Sequence, residues 1–481
     1  MDRKKSDHTI HYHNLIGGSW VKSEQQFEVQ HKFTNKTLAF VSRSSQDDIT
    51  KAVQNALDTF NDRVLTATER YDILTKASSI FLERQEELAM TITCEVGKCI
   101  KDARLEVQRA AETFIASAEE AKRISGNGIP IEGQKAQEKK MAFSIRVPVG
   151  VIGAITPFNF PFNLTAHKVG PALAAGNAVV LKPAELTPIS AIKMAEILME
   201  AGLPGGYLNV VNGYGHEAGQ YLLENEQISM YTFTGSPKVG RHIKTVTGIR
   251  KITLELGNNS PNIIHHDVPD LTKAAELCVT RGVMNSGQAC VSVQRVYVHR
   301  DIYERFIEES TNVVKKMTYG DPELEITDVG CMISEKEAER AESWVKEAVD
   351  QGAVLVSGGS RDGAVMQPTV LKDVTQNMKV VCEEVFAPVV SIMPYDDIQV
   401  AFRLANDTPY GLQVGFFTSN LQLAMQAAKD LCFGGVIIND VSTFRADIMP
   451  YGGLKDSGIG KEGPKYAIHE MTDEKTIVIN L

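Results

Sequence analysis

The chain has 481 residues, 43% of them apolar and 23% charged, a composition that excludes intrinsic disorder as the main state and leaves room for two or three domains. Its 60 acidic residues outnumber the 50 basic ones, and a net charge of −10 disfavours non-specific attraction to nucleic acid or to anionic membrane surfaces, so a small-molecule partner is expected. Seven cysteines, sparse, odd in number and without C-x-x-C spacing, argue against a disulfide framework or a zinc site.

The first residues, Met1 to Ser6, are basic but lead into a polar, His-bearing stretch, so a signal peptide is not expected and a cytoplasmic location is. No run reaches the roughly 18–20 apolar residues of a membrane helix. From Ser45 to Arg123 the period is helical, with amphipathic runs opening at Asp47-Asp48-Ile49 and at Ala67. Gly126 to Lys140 loses that period, and Met141 to Val147 reads as a strand, together an excursion from the main body.

Between Gly150 and Leu256 short β-rich runs alternate with helical patterns: Val151–Ile155, Ala178–Leu181, Leu208–Val211, Met230–Phe233 and Ile252–Leu256. This alternation predicts a doubly wound parallel sheet in an α/β fold. Ligands of such sheets lie at the carboxyl ends of the strands, so Thr156-Pro157, Lys182-Pro183, Asn212-Gly213 and Thr234-Gly235-Ser236 should ring one crevice. A second alternation, from Asn262-Ile263-Ile264 through Arg295–His299, predicts a second α/β domain.

Two glycine motifs follow strands. Gly213-Tyr214-Gly215 with Gly219 is a near-miss of the dinucleotide fingerprint, and a plain strand-to-helix turn explains it as well. In Gly235-Ser236-Pro237-Lys238-Val239-Gly240 a serine precedes a proline at an expected first helical position, where backbone N–H groups could meet a pyrophosphate. Cys290 stands in a small, polar stretch, Gly287-Gln288-Ala289-Cys290, unlike the other six cysteines, which lie mostly in apolar or helical runs. Glu255 interrupts an apolar strand before Gly257-Asn258-Asn259, where burial would raise its pKa and suit it to accept a proton. The alternative is a strand-end glutamate paired with a lysine. Asn159, held between Pro157 and Pro161, could donate to an oxyanion or serve a turn.

Pro157-Phe158-Asn159-Phe160-Pro161, Lys182-Pro183-Ala184-Glu185, Phe233-Thr234-Gly235-Ser236, Glu255-Leu256-Gly257, Gly287-Gln288-Ala289-Cys290, Glu383 to Pro388 and Tyr451 to Gly458 occur in an order and spacing that resemble the signatures of the NAD(P)-dependent aldehyde dehydrogenase superfamily. The resemblance covers nearly the whole chain and implies a Rossmann-type nucleotide domain, an α/β catalytic domain and a small β oligomerisation arm. It implies residues 1–125 and 148–257 for the nucleotide domain, 258–440 for the catalytic domain, 126–147 and 465–481 for the arm, and 441–464 for a mouth loop returning to the nucleotide domain.

The same resemblance implies that Cys290 attacks the aldehyde, that Asn159 and the Cys290 backbone N–H hold the oxyanion, that Glu255 activates the hydrolytic water and that Lys168 lies beneath the asparagine. For the cofactor it implies Thr156, Pro157, Phe158, Lys182, Ala184, Glu185, Gly215, Gly219, Phe233, Gly235, Ser236, Val239, Leu256, Gly257, Glu384 and Phe386. A homodimer or homotetramer is implied as well. Two departures stand out: Asn258 follows Gly257 where a second glycine is common, and Ala387 replaces the usual glycine before Pro388.

Arg109 and Arg445 fall where the family's tunnel and its mouth lie, which suits the anionic tail of a small aldehyde and resembles the lactaldehyde, non-phosphorylating glyceraldehyde-3-phosphate and phosphonoacetaldehyde branches. An internal salt bridge at either arginine is the competing expectation. Glu185 favours NAD over NADP, because a carboxylate accepts a ribose 2′-hydroxyl and repels a 2′-phosphate. His8, His11, His13 and His265-His266 lack coherent metal-ligand partners, and no metal is expected. The rival readings are a CoA-acylating enzyme, which has no need of a base at Glu255, and a non-catalytic family member, which would have lost a reacting group.

Overall fold

The computed structural model describes residues 10–481. Helix starts follow local chemistry. Ser45 caps the helix Gln46–Asp62 in a capping box with Asp48, and Thr66 does the same for Ala67–Glu83 with Glu69. These two, with Gln85–Val96 and Ile100–Ala121, form the helical block expected over 45–123.

The first sheet has eight strands. Its five central members run parallel in the spatial order Lys251–Glu255, Met230–Thr234, Val151–Ile155, Ala178–Lys182 and Leu208–Val210. The chain winds outward from Val151–Ile155 in both directions, so the topological switch point lies between that strand and Met230–Thr234. A crevice must open there, outside Thr156 and Gly235-Ser236. Buried side chains on both faces of this sheet, from Leu15 to Met471, form one core.

The second sheet has seven strands in the order Val354–Ser357, Thr369–Lys372, Val389–Tyr395, Arg295–His299, Pro261–Ile264, Gln413–Phe417 and Gly435–Ile438, all parallel except the first. Two apolar clusters cover its faces. The late chain then returns: Gly458–Ile459 pairs antiparallel with the edge strand Lys251–Glu255 of the first sheet.

Two features depart from the sequence reading. The segment before the first helix is rich in strands: Asn14–Ile16 and Ser19–Val21 extend the eight-stranded sheet, while Ile10–Tyr12, Gln26–Gln30 and Thr37–Ser42 make a small sheet of their own. Their runs of three to six residues are too short for a periodicity to show. The arm also begins later than 465. The helix Pro464–Glu470 packs on Ile100–Ala121 and Asn163–Ala174 and buries Ile468 in the first core. Only Thr472–Asn480 pairs, over its full length, with Lys140–Pro148, which Gly128–Ile129 flanks.

No helix among the described residues is long and apolar enough to cross a membrane.

Candidate active site

Cys290 follows a strained turn in which Asn285, Ser286 and Gly287 carry φ values of 51°, 54° and 68° in succession. Such backbone costs about 1–3 kcal/mol per non-glycine residue and persists only where the surroundings enforce it. Here the Asn285 side-chain amide donates to the carbonyls of Asn159 and Gln288, both at 3.1 Å. A Cβ on Gly287 would fall 1.9 Å from the Ala387 carbonyl oxygen, so the turn admits only glycine there. The result presents a cysteine whose backbone N–H donates to no group among the described residues. Its sulfur lies 3.0 Å from the Tyr451 hydroxyl. Burial pushes the thiol up to about 11, against the pull of that hydroxyl and of Arg445. The Asn159 amide donates one N–H to the Gln288 carbonyl at 2.9 Å, two residues before the cysteine, which leaves its second N–H.

Glu255 ends the strand Lys251–Glu255 with both carboxylate oxygens buried and unbonded. It has no lysine partner. Burial first, and the Glu462 carboxylate second, raise its pKa well above the ordinary glutamate value. A Cβ on Gly452 would meet Glu255 Oε1 at 2.9 Å, so the double glycine after Tyr451 makes room for the carboxylate.

Lys168 projects from the fully buried helix Asn163–Ala174 and donates to Glu462 Oε1 at 3.0 Å and to Thr232 at 3.3 Å. Glu462 Oε2 accepts from Arg445 at 3.0 Å. Burial works against this carboxylate's charge, yet Lys168 and Arg445 outweigh it and hold its pKa at about 2. Arg445 also stacks 3.7 Å above the Tyr451 ring and approaches Asp447 at 3.8 Å.

Both arginines expected at an anionic tail are therefore already paired. Arg109 Nε and Nη2 grip the two oxygens of Asp447 at 2.9 and 2.8 Å, and His167 bonds the same carboxylate at 2.8 Å. The two guanidinium groups meet at Asp447, a pairing that chain position does not reveal for Arg109, which lies 338 residues away. The internal salt bridge is what the structure contains, with Arg445 buried and Arg109 one-quarter exposed.

A cleft of about 990 Å³ opens at the switch point of the first sheet. All sixteen residues expected at the dinucleotide line it, from Thr156 through Phe386, and so do Asn159 and Cys290. Lys182 is buried and donates to Glu185 at 3.2 Å. Ser236 caps the helix Pro237–Thr247, whose first turn holds no acidic side chain, and its unpaired N–H groups favour an anion. Glu384 accepts from the Asn258 N–H at 2.9 Å, and burial raises its pKa to about 7.

The sequence reading missed Glu337, Arg340 and Trp344, which reach the cleft from the helix Glu335–Asp350. Arg340 stacks on Trp344 and bonds Glu337 and the Val385 carbonyl, yet its Nη1 is buried without a partner. That orphan donor, the apolar walls and the bare helix terminus fit a nicotinamide dinucleotide. An i, i+4 Arg and Trp on an amphipathic helix was the one signal available in the sequence, and it is shared by many surface helices.

Among the described residues, one group of three metal-ligating side chains converges: His31, Cys94 and Glu323. His31 Nδ1 accepts from the backbone N–H of Phe33 and Thr34, so Nε2 carries the proton and donates it to Glu323 at 2.9 Å. Both ring nitrogens of His31 are thus engaged in hydrogen bonds. His8 lies outside the described residues.

A parallel sheet whose carboxyl edge opens through a long cleft onto a half-buried thiol is the architecture of a nucleotide-dependent oxidoreductase working on a carbonyl carbon. The sequence profile of the Aldehyde dehydrogenase family matches residues 20–477, and the chain belongs to that family. It is an aldehyde dehydrogenase, of a family that uses NAD or NADP. A 3-sulfolactaldehyde dehydrogenase of Priestia megaterium is 52% identical over 470 residues, 98% of each chain. The crystal structure of aldehyde dehydrogenase 21 from Physcomitrella patens, in complex with the reaction product succinate, matches with a TM-score of 0.95 at 39% identity, over 98% of this chain and 99% of that one. Glyceraldehyde-3-phosphate dehydrogenase GapN from Methanocaldococcus jannaschii, complexed with NADP, matches with a TM-score of 0.91 at 38% identity, over 95% and 100%.

Proposed function

We propose that the protein oxidises a small hydroxylated or anionic aldehyde to its carboxylic acid through a thioester on Cys290, with NAD preferred over NADP. The observation that carries this reading is the meeting, in one cleft, of the Cys290 thiol with all sixteen residues expected to hold the dinucleotide. Cys290, as the thiolate, attacks the carbonyl carbon. The charge passes to the oxygen, which the free N–H of Cys290 and the second N–H of Asn159 receive. NAD(P), when bound, supplies the hydride acceptor. Glu255 then takes a proton from the water that attacks the thioester, and the carboxylic acid leaves as Cys290 is regenerated. Lys168 and Glu462 set the potential at Glu255 and act through it. Lys182, Glu185 and Ser236 hold the adenosine end, and Glu384 with Phe386 the nicotinamide end.

The anionic tail rests on charge balance. Burial keeps Glu255 from adding a full negative charge, so Arg109, Arg445 and Lys168 face only Asp447 and Glu462. A sulfonate, phosphate or carboxylate would offset the remaining positive charge. The names of the relatives, sulfolactaldehyde among them, point the same way. The preference for NAD rests on Glu185, whose carboxylate would repel a 2′-phosphate even with Lys182 beside it. With the arm read as an oligomerisation surface, the protein works as a homodimer or homotetramer in the cytoplasm. The proposed division into domains keeps the boundaries expected from the sequence, except that the arm strand begins at Thr472.

The test compares kcat/KM for neutral, carboxylated, phosphorylated and sulfonated short aldehydes, with NAD and NADP and with and without CoA. Anionic substrates should lead, NAD should lead, and CoA should add nothing. Arg109→Ala and Arg445→Ala should raise KM for the anionic aldehydes about tenfold more than for a neutral one, as loss of one charge-assisted contact implies. Equal effects on both would remove the anionic tail from the proposal.

A further inference from the structure

We infer that Tyr451 sets the ionisation of Cys290: its phenol donates to the sulfur and favours the thiolate over the thiol. The inference rests on the reading of Cys290 as the nucleophile and concerns how a half-buried thiol becomes one.

The Cys290 sulfur sits against Val291, Leu412 and the Tyr451 ring, and burial, with the Glu384 and Glu255 carboxylates, opposes a thiolate there while Arg445 favours one. Among the described residues one polar side chain comes within hydrogen-bond reach of it. The Tyr451 hydroxyl lies 3.0 Å away and has no other hydrogen-bond partner among those residues, so its proton has one acceptor there, the sulfur. Burial first, and Cys290 second, raise the phenol's own pKa well above the ordinary value, so it remains a donor through the working pH range. A thiol and a phenol make a weak bond. Once the sulfur ionises, the same contact becomes a charge-assisted O–H···S⁻ bond, and the difference between the two shifts the equilibrium toward the thiolate. The thiol proton leaves to solvent.

The donor is also fixed in place and polarised. The Tyr451 backbone pairs both ways with Glu462, at 3.1 and 2.7 Å, which ties the ring to the carboxylate that holds Arg445. The Arg445 guanidinium, 3.7 Å above the ring, draws charge toward itself and makes the phenol a better donor. Phenylalanine would fill the same volume and keep the same packing, so packing alone gives no reason for the hydroxyl.

The bond stabilises the free thiolate and gives nothing once sulfur is bonded to carbon. Its loss should therefore move the acid limb of reactivity and spare the plateau. The test measures the rate of Cys290 alkylation by iodoacetamide against pH in the parent and in Tyr451→Phe, with the alkylated residue identified by peptide mass spectrometry, beside the pH profile of kcat/KM. Both acid limbs should rise by about one pH unit and the rate at pH 7 should fall about tenfold, with the alkaline plateau retained. Placing 3-fluorotyrosine, a stronger donor of the same shape, at position 451 should move both limbs down, and this variant carries the test if Tyr451→Phe does not fold. Superimposable profiles, or a uniform drop at every pH, would overturn the inference. Turnover retained in Cys290→Ser would instead overturn the nucleophile reading, and the inference with it.

Discussion

Glu255 shows how one side chain's environment fixes its task. A carboxylate ending an apolar strand, with neither oxygen bonded, is protonated more readily than an ordinary surface glutamate, so in its proposed role as base it switches on as pH rises. Its folded pKa is raised, so the reactive, ionised form is gained with increasing pH and lost below. Thioester hydrolysis should climb along a limb lying well above the ordinary carboxylate range. Glu255→Gln should remove that limb, leave Cys290 alkylation intact and cut steady-state turnover about 10²- to 10⁴-fold, the usual weight of a general base. A single burst of about one NAD(P)H per active site in rapid mixing, followed by arrest, is the expected signature. A variant with no burst would place Glu255 before the thioester instead of after it.

At the scale of the element, the helix Asn163–Ala174 carries His167 and Lys168 while buried on every side. Its N-terminus is satisfied from a distance: Glu106 Oε1 accepts from the backbone N–H of Phe162 and Asn163 at 2.9 and 3.1 Å, and its other oxygen pairs with the buried Lys98 ammonium. Glu95 does the same for Ile189–Glu200, bonding the N–H groups of Ile189 and Ser190. Sequence near these helices shows no side-chain cap, since the caps come from elsewhere in the chain. Removing one leaves several buried groups unpaired at once. Glu106→Ala should cost about 3–5 kcal/mol in denaturant unfolding, because it strands Lys98 as well as two backbone donors. Glu106→Gln should cost less, since an amide oxygen can still accept from the helix. Equal losses in the two variants would show that Lys98, and not the helix end, dominates the effect.

For the whole molecule, the arm is the element that carries the proposed subunit contact. Thr472–Asn480 is an edge strand with one free row of backbone groups, and Met141, Ile145, Val478, Ile479 and Leu481 expose apolar surface on the same small sheet. An exposed, apolar edge calls for a partner. Deleting Thr472–Leu481 should lower the sedimentation coefficient to that of a smaller assembly, while the cleft, built from the two larger sheets, should still bind dinucleotide. An unchanged coefficient would move the subunit contact away from the arm.

Local pattern in the sequence sufficed for the two alternating α/β blocks and the crevice at the ends of the central strands, and it singled out Cys290, Glu255 and Asn159 as candidates for the chemistry. Those depend on local pattern: strand and helix periods, glycine and proline at turns, and a charged residue in an apolar run. The short strands before Gln46 escaped notice because three to six residues cannot display a period. Packing in space was needed to show that Arg109 and Arg445 answer to Asp447 and Glu462, that Arg340 and Trp344 reach the cleft from the helix Glu335–Asp350, and that Tyr451 touches the sulfur. The reason is physical. Hydrogen bonds and ion pairs act over about 3 Å of space without regard to chain distance, so partners 161 or 338 residues apart are invisible until the packing of two sheets brings them together.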